Sequence, residues 1–204
     1  KTGIAADDNA PLFQGVSLGV EEINSQGGLL GRKLEVIEMD NTSNSIGSKQ
    51  AALKAVELDV VAVIGAAWSH HSLAMAPVLQ QAQIPMISPI STNPKVTLIG
   101  NFIFRVCFTD PFQGKVMAQF AYRDLKARTA IILTNVNSDY CIGLAEFFEK
   151  SFIQSGGKVL WEGEYKEKAI DFSTTLIKVR LLQPNVVFVP GYIQDSALII
   201  KQAK

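Results

Sequence analysis

Four short segments gather the residues of this chain that could recognise a small charged molecule. They read Ala66-Ala67-Trp68-Ser69-His70-His71-Ser72, Ser88-Pro89-Ile90-Ser91-Thr92-Asn93-Pro94, Thr134–Tyr140 and Pro190-Gly191-Tyr192-Ile193-Gln194-Asp195. All carry hydroxyl groups, two carry tyrosines (Tyr140 and Tyr192), and three lead into helical patterning. A Ser or Thr at a helix start sets an OH beside unpaired backbone N–H groups, which suits a carboxylate or a phosphate. The same residue types also serve as plain helix caps. Spacing alone leaves Ser69 and Thr92 open between the two roles.

Other chemistry fits less well. Neighbouring histidines such as His70 and His71 point about 100° apart on a helix and chelate one ion poorly. No Cys, Asp or Glu stands beside them at the spacing of a zinc motif. They read as surface or lip residues. Trp68-Ser69-His70 lacks the glycines of a nucleophile elbow, so a hydrolase is not indicated. Gly27-Gly28-Leu29-Leu30-Gly31 lacks the Gly-Lys-Ser/Thr ending of a phosphate loop and lies between a helix and a strand, so it reads as a helix stop. Asp7-Asp8 could meet an ammonium group but reads more simply as a solvated loop. Cys107 and Cys141 suit buried free thiols better than a disulfide framework. No metal or cofactor site is expected.

The elements that must position these loops alternate along the chain. Helical periodicity covers Pro11–Gln26, Ser45–Leu58, Ser69–Gln83, Pro111–Leu125, Cys141–Gln154, Asp171–Leu182 and Asp195–Lys204. In the second of these, Ile46, Ala51, Leu53 and Val56 mark the apolar side. Asp171 or Ser173 is the expected cap of the sixth. Strand patterns fall at Leu34–Met39, Val60–Ile64, Pro85–Ser88, Phe102–Phe108, Thr129–Leu133, Lys158–Glu164 and Val186–Pro190. The run Val60–Ile64 reads as a strand buried on both faces. Strand alternating with helix predicts an α/β fold with parallel sheets covered on both faces. There are two such series, so two doubly wound lobes are expected, residues 1–110 and 111–204. Neither chain end carries the central strand of such a sheet, and truncation at both ends is expected. In open parallel sheets ligands bind beyond the carboxyl ends of the strands, where the four loops lie.

Composition narrows the function. The 204 residues are 48% hydrophobic and 19% charged, which excludes disorder. Nineteen basic and nineteen acidic residues leave no basic excess for nucleic acid. The longest apolar runs are far below the ~20 residues that span a bilayer. No basic stretch followed by an apolar core opens the chain, so no targeting peptide is expected in it, and a mature secreted protein would look the same.

Several stretches together resemble a known family. They are Glu21-Glu22-Ile23-Asn24-Ser25-Gln26-Gly27-Gly28-Leu29-Leu30-Gly31-Arg32-Lys33-Leu34, Pro85–Pro94, Phe104–Gly114, Asp171-Phe172-Ser173 and Pro190-Gly191-Tyr192. In this order they resemble the type I periplasmic binding proteins, above all the leucine/isoleucine/valine-binding proteins of ABC transporters. Ligand domains of metabotropic glutamate receptors are more distant relatives. The resemblance implies a Venus-flytrap of two lobes that closes on a small amino acid, branched-chain or otherwise aliphatic, and hands it to a permease. It implies no enzyme activity, a periplasmic or cell-surface location after removal of a signal peptide, and membrane attachment only through the partner or a lipid anchor. Carried over by position, Ser69 would hold the carboxylate. Thr92 would give its N–H to the carboxylate and its OH to the ammonium. Ile90 would offer its carbonyl to the ammonium, and Tyr140 and Tyr192 would close over the ligand. Trp68 and Ser91, neighbours in the same loops, complete the set. The family's first-loop aromatic is replaced by Asp7-Asp8-Asn9, which leaves the ligand side chain open. A sensor or receptor domain, or a binder of a small aromatic carboxylate, are the alternatives.

Overall fold

The computed structural model describes residues 2–204, except the side chains of residues 7 and 8. The chain divides into two units. One comprises residues 1–91 and 95–106, the other residues 92–94 and 107–204.

The first unit opens with helix α1 (Ala6–Ser25), followed by α2 (Ser45–Glu57), β1 (Val63–Ile64), α3 (Ser69–Gln81), β2 (Met86–Ser88), a 3₁₀ turn (Pro94–Val96, of which only Lys95 and Val96 belong to this unit) and β3 (Ile103–Arg105). The strands form a parallel sheet in the order β1-β2-β3, with Val63 opposite Met86 and Met86 opposite Ile103. Met86, Ile103 and Val96 pack with Met75, Ala76 and Leu79 of α3 and Ala52 and Ala55 of α2. The turn after α1 is closed by Gly28, whose N–H reaches back to the carbonyl of Ile23 at 2.9 Å. Its φ of +79° and the Arg32 carbonyl where a Cβ would stand leave room only for glycine.

Several expectations give way here. Residues 6–10 continue α1 and are not a polar loop; a proline near a helix start misled, because Pro11 stands inside the helix. The expectation placed on the Asp7 and Asp8 carboxylates lies outside the described residues. Residues 34–39 form no strand among the described residues. Alternating polarity needs a partner ladder to become a strand, and Leu34 is instead held through both its backbone groups by the Asn24 side chain, at 2.7 and 2.9 Å. The Val60–Ile64 run shortens to two residues, with Ile64 53% and Val61 86% exposed. β1 is an edge strand, so the double burial predicted for it does not occur. Phe102–Phe108 shrinks to β3. The face of α2 is also different: Gly47, Ser48, Ala52 and Ala55 are buried, while Ile46, Leu53 and Val56 face outward. Small residues let this helix approach its neighbours closely, and a Cβ on Gly47 would overlap the Asn41 carbonyl.

The second unit contains α4 (Asp110–Gln119), which runs on into a π-helical turn (Phe120–Asp124), then β4 (Thr129–Asn135), α5 (Asp139–Gln154), β5 (Lys158–Tyr165), α6 (Ser173–Leu182), β6 (Val186–Phe188) and α7 (Ile193–Gln202). Its sheet is parallel, in the order β5-β4-β6, with a register shift at Ala130/Ile131 against β5. Ala130 through Leu133 have no exposed surface. Ala130 and Ile132 pack with Phe148 and Phe152 of α5, while Ile131 and Leu133 pack with Phe172 and Ile199 on the other face. This two-sided covering is the doubly wound pattern. α6 is entered through Phe172 with no side-chain cap; Asp171 instead accepts from the Ser173 N–H and OH, at 2.9 and 2.6 Å, just ahead of the helix.

Candidate functional site

In the first unit the site loops are tied together by serines. The loop after β1 runs over Ala66 and Ala67 into Trp68, which caps α3 in an extended conformation without a side-chain cap bond. Ser69, 1% exposed, is the first residue of that helix. The Ala66 carbonyl receives the Ser88 hydroxyl at 2.7 Å and lies 3.1 Å from those of Ser72 and Ser91. The Ser91 hydroxyl also reaches the Ala67 carbonyl at 2.9 Å and the Ser72 hydroxyl at 2.7 Å, and the Ser91 N–H donates to Ser88 at 3.0 Å. Arg105 of β3 donates to the Ser91 carbonyl at 2.7 Å. All three serines are fully buried. They lock the loop after β1 to the loop after β2, and so fix where α3 points its N-terminus. The Ser91 hydroxyl is thereby engaged inside the loop. Ile90, half exposed, offers solvent its side chain.

Trp68 is buried, with its ring stacked on His71 at 5.5 Å and 14°. His70 meets His71 edge-on at 4.1 Å. His71 has no exposed surface and therefore is not a lip residue. Burial, and secondarily the neighbouring His70, lower its pKa to about 3, so its ring is neutral. Among the described residues, no group of three or more His, Cys, Asp or Glu could hold a metal ion.

Thr92 opens the short stretch that belongs to the second unit. Its carbonyl accepts from the Asp110 N–H at 3.0 Å, and the next residue, Asn93, donates through its side chain to the Asp139 carbonyl at 2.7 Å. The Thr92 hydroxyl is buried and has no hydrogen-bond partner. It makes no cap bond, so the plain capping role that spacing allowed it is not the one it plays.

Tyr140 and Tyr192 stand together in the second unit. Their rings lie 5.7 Å apart at 37°. Tyr140 is the second residue of α5 and its OH accepts from the Gln113 amide at 3.3 Å. Tyr192 is the N-cap residue of α7, and its OH pairs with the Ser138 hydroxyl at 3.2 Å. Ser138 in turn caps α5, 3.4 Å from the Cys141 N–H. Burial raises the pKa of both phenols, so both rings present a neutral OH. Burial also pushes the Cys141 thiol up to about 12. The two cysteines are not joined in a disulfide; Cys141 is buried and Cys107 partly so.

The structure thus groups Trp68, Ser69 and Ser91 in one unit, with Ile90 beside them in sequence, and Tyr140 and Tyr192 in the other. It also shows supporting residues that sequence reasoning missed. Ser138 carried a signal, a serine just before a helical pattern; Ser72 and Ser88 carried none that separates them from other loop serines.

A family model described as periplasmic binding protein matches residues 1–204. The chain belongs to this family. Its fold is similar to the leucine binding protein LivK of Thermotoga maritima, at 36% identity and a TM-score of 0.95, over 99% of this chain and 57% of that one. It is also similar to LivJ of Streptococcus pneumoniae, a branched-chain amino acid transporter substrate-binding protein solved with isoleucine, at 30% identity, a TM-score of 0.90 and the same coverage. Among curated relatives, the Leu/Ile/Val-binding protein homolog 1 of Brucella suis is 32% identical over 98% of this chain and 54% of its own length. The chain spans about half the length of the relatives it matches. The fold is that of the type I periplasmic binding proteins.

Proposed function

We propose that this chain is part of an extracytoplasmic solute-binding protein that takes a small aliphatic α-amino acid, most simply leucine, isoleucine or valine, and presents it to an ABC permease. The observation that carries the reading is the Thr92 hydroxyl, buried without a hydrogen-bond partner. A group left so in a folded protein costs about 1–3 kcal/mol until something bonds it. An ammonium or carboxylate group of a ligand supplies that bond. The N-terminus of α3 at Ser69, with no side-chain cap bond from Trp68, favours an anion through its N–H groups and dipole. The Ile90 carbonyl offers the opposite polarity for an ammonium. Tyr140 and Tyr192 contribute ring faces and a neutral OH each, as a zwitterion with an apolar tail requires.

These groups bind and do not react: no residue among them is placed as nucleophile with a base. The printed names of the relatives, and the isoleucine in the LivJ structure, support the same ligand class. Calorimetry on the intact protein, freed of bound ligand by unfolding and refolding, tests this. Stoichiometric binding of leucine, isoleucine or valine, with benzoate silent, is expected. Tight binding of benzoate with none of an amino acid overturns the zwitterion reading.

A further inference from the structure

The second unit contains a buried carboxylate that the ligand reading does not use. Asp195 lies in the first turn of α7 and is 7% exposed. Its side chain meets the ends of two strands and the cap of its own helix. The Asn135 amide, at the end of β4, donates to it at 3.3 Å. The Tyr165 OH, at the end of β5, donates at 3.4 Å. The Tyr192 backbone, at the cap of its own helix, supplies a further hydrogen bond. This last bond is the half of a capping box in which an acid three residues in reaches back to the cap residue.

Two of these partners, Tyr192 and Asn135, lead to the tyrosine pair. Tyr192 is the cap residue itself. The Asn135 side chain also accepts from the Asn137 N–H at 3.0 Å, and its carbonyl from the Ser138 N–H at 3.3 Å, which sets the turn into α5. Ser138 then holds the Tyr192 OH, and Tyr140 follows two residues later. We infer that Asp195 is the positioning residue for Tyr192 and Tyr140: it fixes the aromatic half of the recognition surface from behind, without itself meeting the ligand.

Such a carboxylate is costly to the fold. Burial raises its pKa, with the nearby Tyr165 and Cys141 as the other titratable groups around it. Asp195→Asn therefore relieves a desolvated charge but replaces one of two accepting oxygens with a donating NH₂, while Asn135 and Tyr165, which share Oδ2, and the Tyr192 backbone all donate. The two roles separate: a residue kept for stability would lower the melting temperature when replaced, whereas a positioning residue costs affinity.

The inference rests on the amino-acid reading above. In the intact protein, Asp195→Asn should weaken leucine binding about tenfold, within what small misplacements of positioned groups cost. The melting temperature should stay or rise. In a Tyr192→Ala background the same change should add no further loss, since coupled residues are not additive. Hydrogen exchange on ligand-free protein should show faster exchange at Tyr192 and Ser196, with β4 unchanged. If Asp195→Asn does not fold, Tyr165→Phe removes one donor and should give the same pattern more weakly. Undiminished affinity with unchanged exchange, or a loss that persists in the Tyr192→Ala background, overturns the inference. Wild-type protein that binds no amino acid rejects the amino-acid reading instead, and the exchange measurement then decides on Asp195 alone.

Discussion

Replacing Thr92 by valine keeps the volume of the side chain and removes one atom group, the hydroxyl that is buried without a partner. The physical argument gives the two consequences opposite signs. In the ligand-free protein the OH is a desolvated donor and acceptor that bonds nothing, at a cost of about 1–3 kcal/mol. Valine abolishes that cost, so the free protein should become more stable by about 1 kcal/mol, or about 2–4 °C for a domain of 150–250 residues. In the complex the OH would bond a charged group of the ligand, worth about 1.5–3 kcal/mol. Its loss should weaken binding roughly ten- to a hundredfold, at 1.4 kcal/mol per decade. Thermal denaturation without ligand and calorimetry with leucine, on the same two proteins, read both effects. A stability that falls while affinity holds would show that the hydroxyl serves the fold, and would refute the reasoning.

Ser88→Ala removes one of the three hydroxyls that reach the Ala66 carbonyl and the acceptor of the Ser91 N–H; the carbonyl keeps Ser72 and Ser91, but the buried Ser91 N–H loses this acceptor, so a loss of about 1–3 kcal/mol in urea denaturation is expected, and an unchanged midpoint would contradict the locked-loop account. Tyr192→Phe deletes only the OH that pairs with Ser138; stopped-flow release of leucine should speed up by about fivefold, for about 1 kcal/mol, and an unaltered release rate would remove Tyr192 from the site. His71 is neutral when folded, with its pKa lowered from 6.5 to about 3. Its contribution to stability is complete above the unfolded value and is lost as pH falls below it, by up to about 1.4 kcal/mol per pH unit. His71→Phe, which keeps a ring against Trp68, should flatten the urea midpoint between about pH 6.5 and 4.5, and a parallel pair of pH profiles would disprove the assignment.

Much of the fold was legible because its signals are local. The apolar strand pattern at Val186–Phe188, the helical periodicity of α5 and the glycine stop at Gly28 each follow from a few neighbouring residues. What failed depends on partners distant in sequence. Residues 34–39 alternate as a strand does, yet a strand exists only where another pairs with it. Val61 and Ile64 are apolar, yet their exposure is set by the edge position of β1. α2 buries its small residues because closeness of approach decides its face, and periodicity counts Ile46 and Leu53 above Ala52 and Ala55.

The site divides along the same line. The topological rule that ligands meet parallel sheets at the carboxyl ends of strands pointed to the loops after the strands. It said nothing about which hydroxyl in a loop does what. Ser91 and Thr92 are adjacent, chemically alike and both buried. The hydroxyl of one lies between two carbonyls and a second serine; the hydroxyl of the other has no hydrogen-bond partner. That difference is made by Ala66, Ala67 and Ser72, some twenty residues away, and by the way β1 and β2 pair. A hydroxyl already bonded inside its loop gains nothing from a ligand, because the exchange of partners is nearly neutral. A buried hydroxyl with no partner gains the full bond. On the proposed reading, Thr92 is therefore the one of the two neighbours whose side chain a ligand would reward, while the Ser91 hydroxyl stays engaged within its own unit.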